Sequence, residues 1–257
     1  MCNIQNLNQD FIAFVYCAGL GTRLRPYTND IPKPLLRFKN NKRIVDYTLD
    51  SLINVGFRKA FINASYGFEL FDELKKDYRD RLEIHIVRED SPSGHGGVLL
   101  KNIDLFEGFR HLVTFNGDTI ISFNIMNFLL TSGSNTAGFL SSEKVSLPKN
   151  LICKSDLELI GLVGPTNEYI YLENRFPKEP IYKNYLGVSY LPITELKKIA
   201  TRDEVDFLGM FGKDDLVETL VSMGVEAIVV EADLADSGFV SINTIDEFNR
   251  AESELNA

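Results

Sequence analysis

The chain has 257 residues, of which 44% are hydrophobic and 25% charged, ordinary values for a globular protein with a sizeable core. Its formal net charge of −9 argues against a general nucleic-acid or anionic-membrane binder. Three cysteines, Cys2, Cys17 and Cys153, form no C-x-x-C pair, which leaves out a disulfide framework and a zinc knuckle; with no basic-then-apolar leader and no apolar run of about 18 residues, a cytoplasmic protein is expected.

Residues 1–10 read as a polar extension. Phe11–Ala18 is an unbroken apolar run, as in a strand buried on both faces, and Gly19 and Gly21 end it. Helical spacing of apolar residues predicts a helix over Ile44–Val55 with Gly56 as its stop, and another over residues 68–78. Strands are expected at 59–65, 82–87 and 111–118, a glycine-rich turn at 93–102, and a short helix at 125–130. This alternation favours a parallel sheet with helices on both faces. From about Thr136 the rhythm changes to short strands, then helices at 194–200 and 213–223, a strand at 225–231 and a closing helix near Thr244–Leu255. The expectation is one mixed α/β domain over 1–257, with a nucleotide-binding half at about 11–135 and an acceptor-binding half at about 136–257.

The segment Ala18–Leu36, AGLGTRLRPYTNDIPKPLL, carries the chemistry. A tight glycine turn after a buried strand presents backbone N–H groups to an anion. From Arg23 to Arg43 seven cations stand against one acid, Asp30. The stretch Arg37–Arg43 reads as a solvated basic face. Lys33 differs, because Pro32 and Pro34 stiffen the backbone on either side of it. The spacing is neither that of a P-loop nor that of a dinucleotide fingerprint, whose third glycine is here Leu24.

Gly19, Gly21, Thr22, Arg23, Leu24, Pro26, Thr28, Pro32, Lys33, Pro34 and Leu35 fall on the pattern G-x-G-[TS]-R-L-x-P-x-T-x-x-x-P-K-P-L. The pattern resembles the signature of the sugar-1-phosphate nucleotidyltransferases. The resemblance implies a Rossmann-like mixed, mostly parallel sheet and a reaction that joins an NTP to a sugar 1-phosphate with release of pyrophosphate. It implies Arg23, Lys33 and Asp118 as catalytic residues and Mg²⁺ as cofactor. Asp118, in FNGDTI, matches the family's metal-holding Asp; by itself an Asn-Gly-Asp run is an ordinary turn. Ala18, Gly19, Gly21 and Thr22 fall in the first nucleotide loop, and Gly94, Gly96 and Gly97 in a second. Glu89 matches a base-reading position where relatives often carry Gln; a carboxylate only accepts, which suits guanine N1–H and N2–H₂ or cytosine N4–H₂, and a surface acid is the plain alternative.

Toward the acceptor, Glu173 fits the family's E-K-P strand, but Asn174 stands where the phosphate-holding lysine belongs, with Arg175 beside it. Gly187 falls on the strand that lines the sugar site. In the closing segment Ser241 replaces the second metal-binding Asp, Asn243 lies two residues on, and Asp236 is a substitute metal ligand or a simple turn residue. GTP or UTP is the expected nucleotide, with a hexose- or heptose-type acceptor. Two other readings stand beside this one: a cytidylyltransferase acting on a phosphorylated alcohol such as phosphocholine, and a catalytically weak nucleotide-binding regulatory homologue. No nucleic acid and no membrane is expected as a partner, and a homo-oligomer is compatible with the sequence.

Overall fold

The computed structural model describes residues 7–164, 167–172, 178–201, 208–234 and 238–255. In chain order its strands are β1 Phe11–Tyr16, β2 Lys59–Ala64, β3 Glu83–Arg88, β4 His111–Asn116, β5 Thr119–Ile121, β6 Thr136–Ser141 and β7 Lys149–Cys153. They continue with β8 Leu159–Val163, β9 Tyr169–Tyr171, β10 Ile181–Asn184, β11 Val188–Pro192, β12 Glu226–Glu231 and β13 Phe239–Ser241. The helices are α1 Leu7–Asp10, α2 Ile44–Val55, α3 Phe68–Tyr78, α4 Gly94–Lys101, α5 Ile125–Leu129, α6 Ile193–Ala200, α7 Leu216–Ser222 and α8 Ile245–Leu255. The fold is mixed α/β around a seven-stranded sheet of order β12-β6-β11-β4-β1-β2-β3, mostly parallel, as expected from the alternating pattern. Among the described residues no helix is long and apolar enough to cross a membrane.

The contacts divide the chain into two compact units. The first is Met1–Phe11, Ser93–Val113 and Met126–Asp233; the second is Ile12–Pro92, Thr114–Ile125 and Leu234–Ala257.

In the second unit β2 runs parallel to both β1 and β3. Helix α2 starts where the Asp46 carboxylate accepts the N–H of Arg43 at 2.7 Å, and stops at Gly56, whose φ of 110° no β-carbon tolerates well. Arg43 corrects the reading of residues 37–43 as a solvated face. It is buried, with its guanidinium on Asp46 at 3.1 Å and on Asp77 of α3 at 2.6 Å. A buried arginine requires such partners. Its neighbours are engaged too: Lys39 pairs with Glu252, Lys42 with Asp50, and Arg37 donates to the Asn41 carbonyl.

A small core joins the cation-rich segment to the chain's last strand and helix. Leu24, Leu36, Phe38, Ile44, Ile120, Val240, Ile242, Phe248 and Ala251 are buried together, and Phe38 stacks on Phe248 at 4.9 Å. Each large member contributes roughly 1.5–3 kcal/mol on burial. The two-stranded ladder β5–β13 pairs Thr119 with Ser241, and the Ile242 N–H donates to the Asp118 carbonyl at 3.0 Å. Residues more than 120 positions apart are thereby set side by side.

In the first unit β6 is buried along its whole length, parallel to β12 and antiparallel to β11. A second, antiparallel sheet has the order β10-β7-β8-β9. Tyr190 of β11 is fully buried against Gly138, where any β-carbon would meet its ring, and its hydroxyl bonds Thr131 at 3.0 Å. Burial pushes the Tyr190 phenol up to about 12. The expected turn at 93–102 is instead mostly helix α4. Three glycines in its first turn lower its helix propensity, and the fold overrides them: the N–H groups of Gly96 and Gly97 both donate to the Leu208 carbonyl, at 2.8 and 3.0 Å.

Candidate active site

The glycine turn has the form its residues require. Gly21 has φ 59°, and a β-carbon there would come within 3.1 Å of the Lys33 β-carbon. Thr28 closes the turn by donating to the Gly21 carbonyl at 2.8 Å. Thr22–Leu24 and Lys33–Leu35 each form a single 3₁₀ turn. A side chain at Gly19 would meet nothing within 4 Å. Ala18 is buried, and its carbonyl accepts the Ser65 hydroxyl at 2.6 Å.

Lys33 is only 8% exposed. Its ammonium lies 2.6 Å from Asp118 Oδ2 and 3.2 Å from Asn243 Oδ1. The same Asn243 oxygen accepts from Arg23 Nη2 at 3.0 Å. Asn243 Nδ2 donates to Ser241 Oγ at 2.8 Å, and Thr119 donates to Asp118 Oδ1 at 3.1 Å. Thr244 and Glu247 then cap α8 reciprocally, and the Glu247 carboxylate also accepts the Asn243 backbone N–H at 2.6 Å. The three residues expected to be catalytic are therefore brought together, and the closing segment supplies their link.

Beneath the glycine turn, Asn63 of β2 is buried and used at both ends of its amide. Its oxygen accepts the Cys17 N–H at 2.7 Å, and its nitrogen donates to Glu89 Oε1 at 2.7 Å. Glu89 is buried, so the surface-acid reading fails. Burial, reinforced by the charge of Asp118, pushes the Cys17 thiol well up. Cys17 is thus a protonated core residue and not a nucleophile.

Gly94 and Gly97 begin α4 in the first unit, where the Gly97 N–H is spent on Leu208 and a β-carbon would sit 3.2 Å from the Leu208 nitrogen. Gly187 takes φ 80° just before β11. Glu173, Arg175 and Asp236 lie outside the described residues.

Asn63 had no role in the sequence reading, and Asn243 entered it only as the residue two positions beyond Ser241 near the expected metal, not as a partner of the cations. Asn243 was legible in principle: two positions beyond Ser241 in an extended segment it shares that residue's side. Asn63 stands out as an amide inside an apolar strand, the kind of residue that must find partners when buried.

Among the described residues, Asp118 is the carboxylate that this cluster offers a divalent metal, with Ser241 and Asn243 as neutral oxygens nearby. Among the described residues no group of three His, Cys, Asp or Glu side chains forms a cage. One carboxylate suits a hard cation that takes its other ligands from phosphates and water.

A buried parallel strand, a glycine turn and two cations on a shared amide beside a carboxylate are the parts of an α/β protein suited to an anionic ligand. The chain belongs to the nucleotidyl transferase family, whose model matches residues 12–143, about half of it. Members of this family generally use a divalent metal. One relative, D-glycero-alpha-D-manno-heptose 1-phosphate guanylyltransferase of Campylobacter jejuni, is 29% identical over 118 residues, 46% of this chain and 52% of that one. The chain thus aligns with about half the length of that curated relative. Two solved structures share the fold across nearly the whole chain. HddC from Yersinia pseudotuberculosis, complexed with GMP-PN, has a TM-score of 0.70 at 17% identity, covering 95% of this chain and 99% of that one. The inositol-1-phosphate CTP transferase from T. maritima has a TM-score of 0.72 at 15% identity, covering 96% and 95%.

Proposed function

We propose that the protein transfers a nucleotidyl group, guanylyl by preference, from an NTP to a hexose- or heptose-type sugar 1-phosphate. An oxygen of the acceptor's phosphate attacks the α-phosphorus. The bond from the α-phosphorus to the bridging oxygen breaks, and that electron pair leaves with pyrophosphate. The observation that carries the reading is the Lys33–Asp118–Asn243–Arg23 cluster, with Lys33 mounted between two prolines.

The chain's own residues position and stabilise; no covalent bond to the protein is required. Arg23 and Lys33 hold the triphosphate and the departing pyrophosphate. Asp118 would hold Mg²⁺, which when bound neutralises charge on the phosphate under attack. The buried Glu89 carboxylate supports a base with a donor edge, guanine or cytosine, over uracil. The guanylyl-transferring relative favours guanine.

The test supplies each of the four NTPs with Mg²⁺ and, in turn, mannose 1-phosphate, a heptose 1-phosphate and phosphocholine, and measures pyrophosphate release. Release that depends on GTP and a sugar 1-phosphate is expected. Release with CTP and phosphocholine alone would assign the cytidylyl reading, and no release with any pair would leave a nucleotide-binding homologue.

A further inference from the structure

Among the described residues, Asn243 is the one side chain bonded to both Arg23 and Lys33. Its oxygen accepts from the two cations at 3.0 and 3.2 Å. Its nitrogen donates to Ser241 at 2.8 Å, which turns the oxygen toward the cations and fixes the amide's orientation. Its backbone N–H is held in turn by Glu247 at the start of α8. An amide can therefore do here what a carboxylate cannot: gather two positive groups without cancelling either. Among the described side chains bonded to one another here, Arg23 and Lys33 against Asp118 leave one positive charge in excess, while Glu247 bonds the backbone N–H groups of Asn243 and Thr244.

We propose that Asn243 is a positioning residue that sets Arg23 and Lys33 on one neutral oxygen, and that its neutrality preserves the excess positive charge with which the site takes a polyphosphate. The inference rests on the phosphate-binding part of the proposed function, but not on the base, the acceptor or turnover. A carboxylate at this position would hold the two cations more firmly through charge-assisted bonds. It would also cancel the excess positive charge of this bonded group and weaken attraction for an anion a few ångströms away.

The experiment is calorimetric titration of inorganic pyrophosphate into the full chain in EDTA buffer at low salt, for the native protein, Asn243→Asp and Asn243→Ala. Pyrophosphate is the common product of every NTP, so the outcome does not depend on which nucleotide is used. Asn243→Asp is expected to weaken binding about tenfold and Asn243→Ala about threefold, with the aspartate deficit shrinking at high salt as its charge is screened. A purely structural role would instead weaken both variants in step with their loss of melting temperature. That result, or an aspartate variant that binds as tightly as the native chain, overturns the proposal. If Asn243→Asp does not fold, Arg23→Ala and the double variant Arg23→Ala/Asn243→Ala decide. Less-than-additive losses support positioning through Arg23, and additive losses overturn it. A native chain that binds pyrophosphate in this order yet transfers no nucleotide keeps the inference and ends the activity reading; one that does not bind pyrophosphate ends both.

Discussion

Lys33 in the second unit and Lys183 in the first are buried to the same degree, 8% and 7% exposed, yet their surroundings differ. Among the described residues Lys33 has one carboxylate, Asp118, and the neutral oxygen of Asn243. Lys183, on β10, has two carboxylates: Glu143 at 2.8 Å, and Glu231, the last residue of β12. Burial pulls the Lys183 pKa down, but the hydrogen bonds to Glu143 and Glu231 outweigh it and the net shift is upward. The neighbouring Asn184 is equally committed, bonded to Ser141, Ser142 and Val145. An ammonium with two counterions is already satisfied and ties strands together. An ammonium beside one counterion and an amide can still attract an anion. The count of carboxylates, and not burial or charge type, separates the lysine proposed to bind phosphate from the one that ties strands together.

The widest break in this contrast comes at Asp118. Asp118→Asn should reduce pyrophosphate release by about 10³ at ordinary Mg²⁺, since it removes both the carboxylate proposed to hold the metal and the counterion of Lys33. Retained activity would mean that the metal is anchored elsewhere, and Asp236 would be the next residue to change. Lys33→Ala should lower turnover by ~10²–10³ with the melting curve unchanged, the usual cost of losing one preorganised charge-stabilising donor. Near-native release from a folded Lys33→Ala protein would remove this lysine from the mechanism. Lys183→Met is its counterpart: the melting temperature should fall while pyrophosphate affinity stays unchanged, and a loss of affinity would erase the distinction between the two lysines.

Ser241→Asp sharpens the comparison by placing a carboxylate where the Asn243 amide nitrogen now meets the Ser241 hydroxyl. The Mg²⁺ concentration for half-maximal rate should drop about tenfold, corresponding to ~1.4 kcal/mol. A midpoint that does not move in a Mg²⁺ titration would show that position 241 takes no part in holding the metal.

The smallest expected effect belongs to the first unit. His111 is buried, stacked on Phe11 at 5.4 Å and bonded through Nε2 to the Gly133 carbonyl at 2.8 Å. Burial holds its pKa below the ordinary 6.5, only partly offset by that bond. The folded chain then binds fewer protons than the unfolded chain across the window below pH 6.5, so stability is full above that pH and falls as the solution is acidified through it. Melting temperatures from pH 8 to pH 5.5 should show a smaller acid decline for His111→Gln than for the native chain. Equal declines would assign the pH dependence to other groups.

Much of this architecture was legible because local signals agreed with the fold. The apolar spacing of α2 and α3, the stop at Gly56 and the unbroken run of β1 all appear where the sequence places them. Helix α4 was not legible, because Gly94, Gly96 and Gly97 read as a turn until the Leu208 carbonyl is seen to anchor them. Arg43 was misread because charge alone does not name a partner; Asp46 is three residues away, but Asp77 is on another helix. The cations of the site were visible as a cluster in one short segment. Their connection to Asn243 spans 220 and 210 residues, and no local pattern contains it.

Gly67, at the N-cap of α3, has φ 65°, and a β-carbon there would lie 2.7 Å from the Pro32 ring. The helix start therefore acts as a mechanical stop for the residue that precedes Lys33. A side chain at position 67 would have to push that proline aside and shift the lysine's backbone with it. Position 67 works as a set-screw: through Pro32 it sets the tolerance to which the ammonium is aimed.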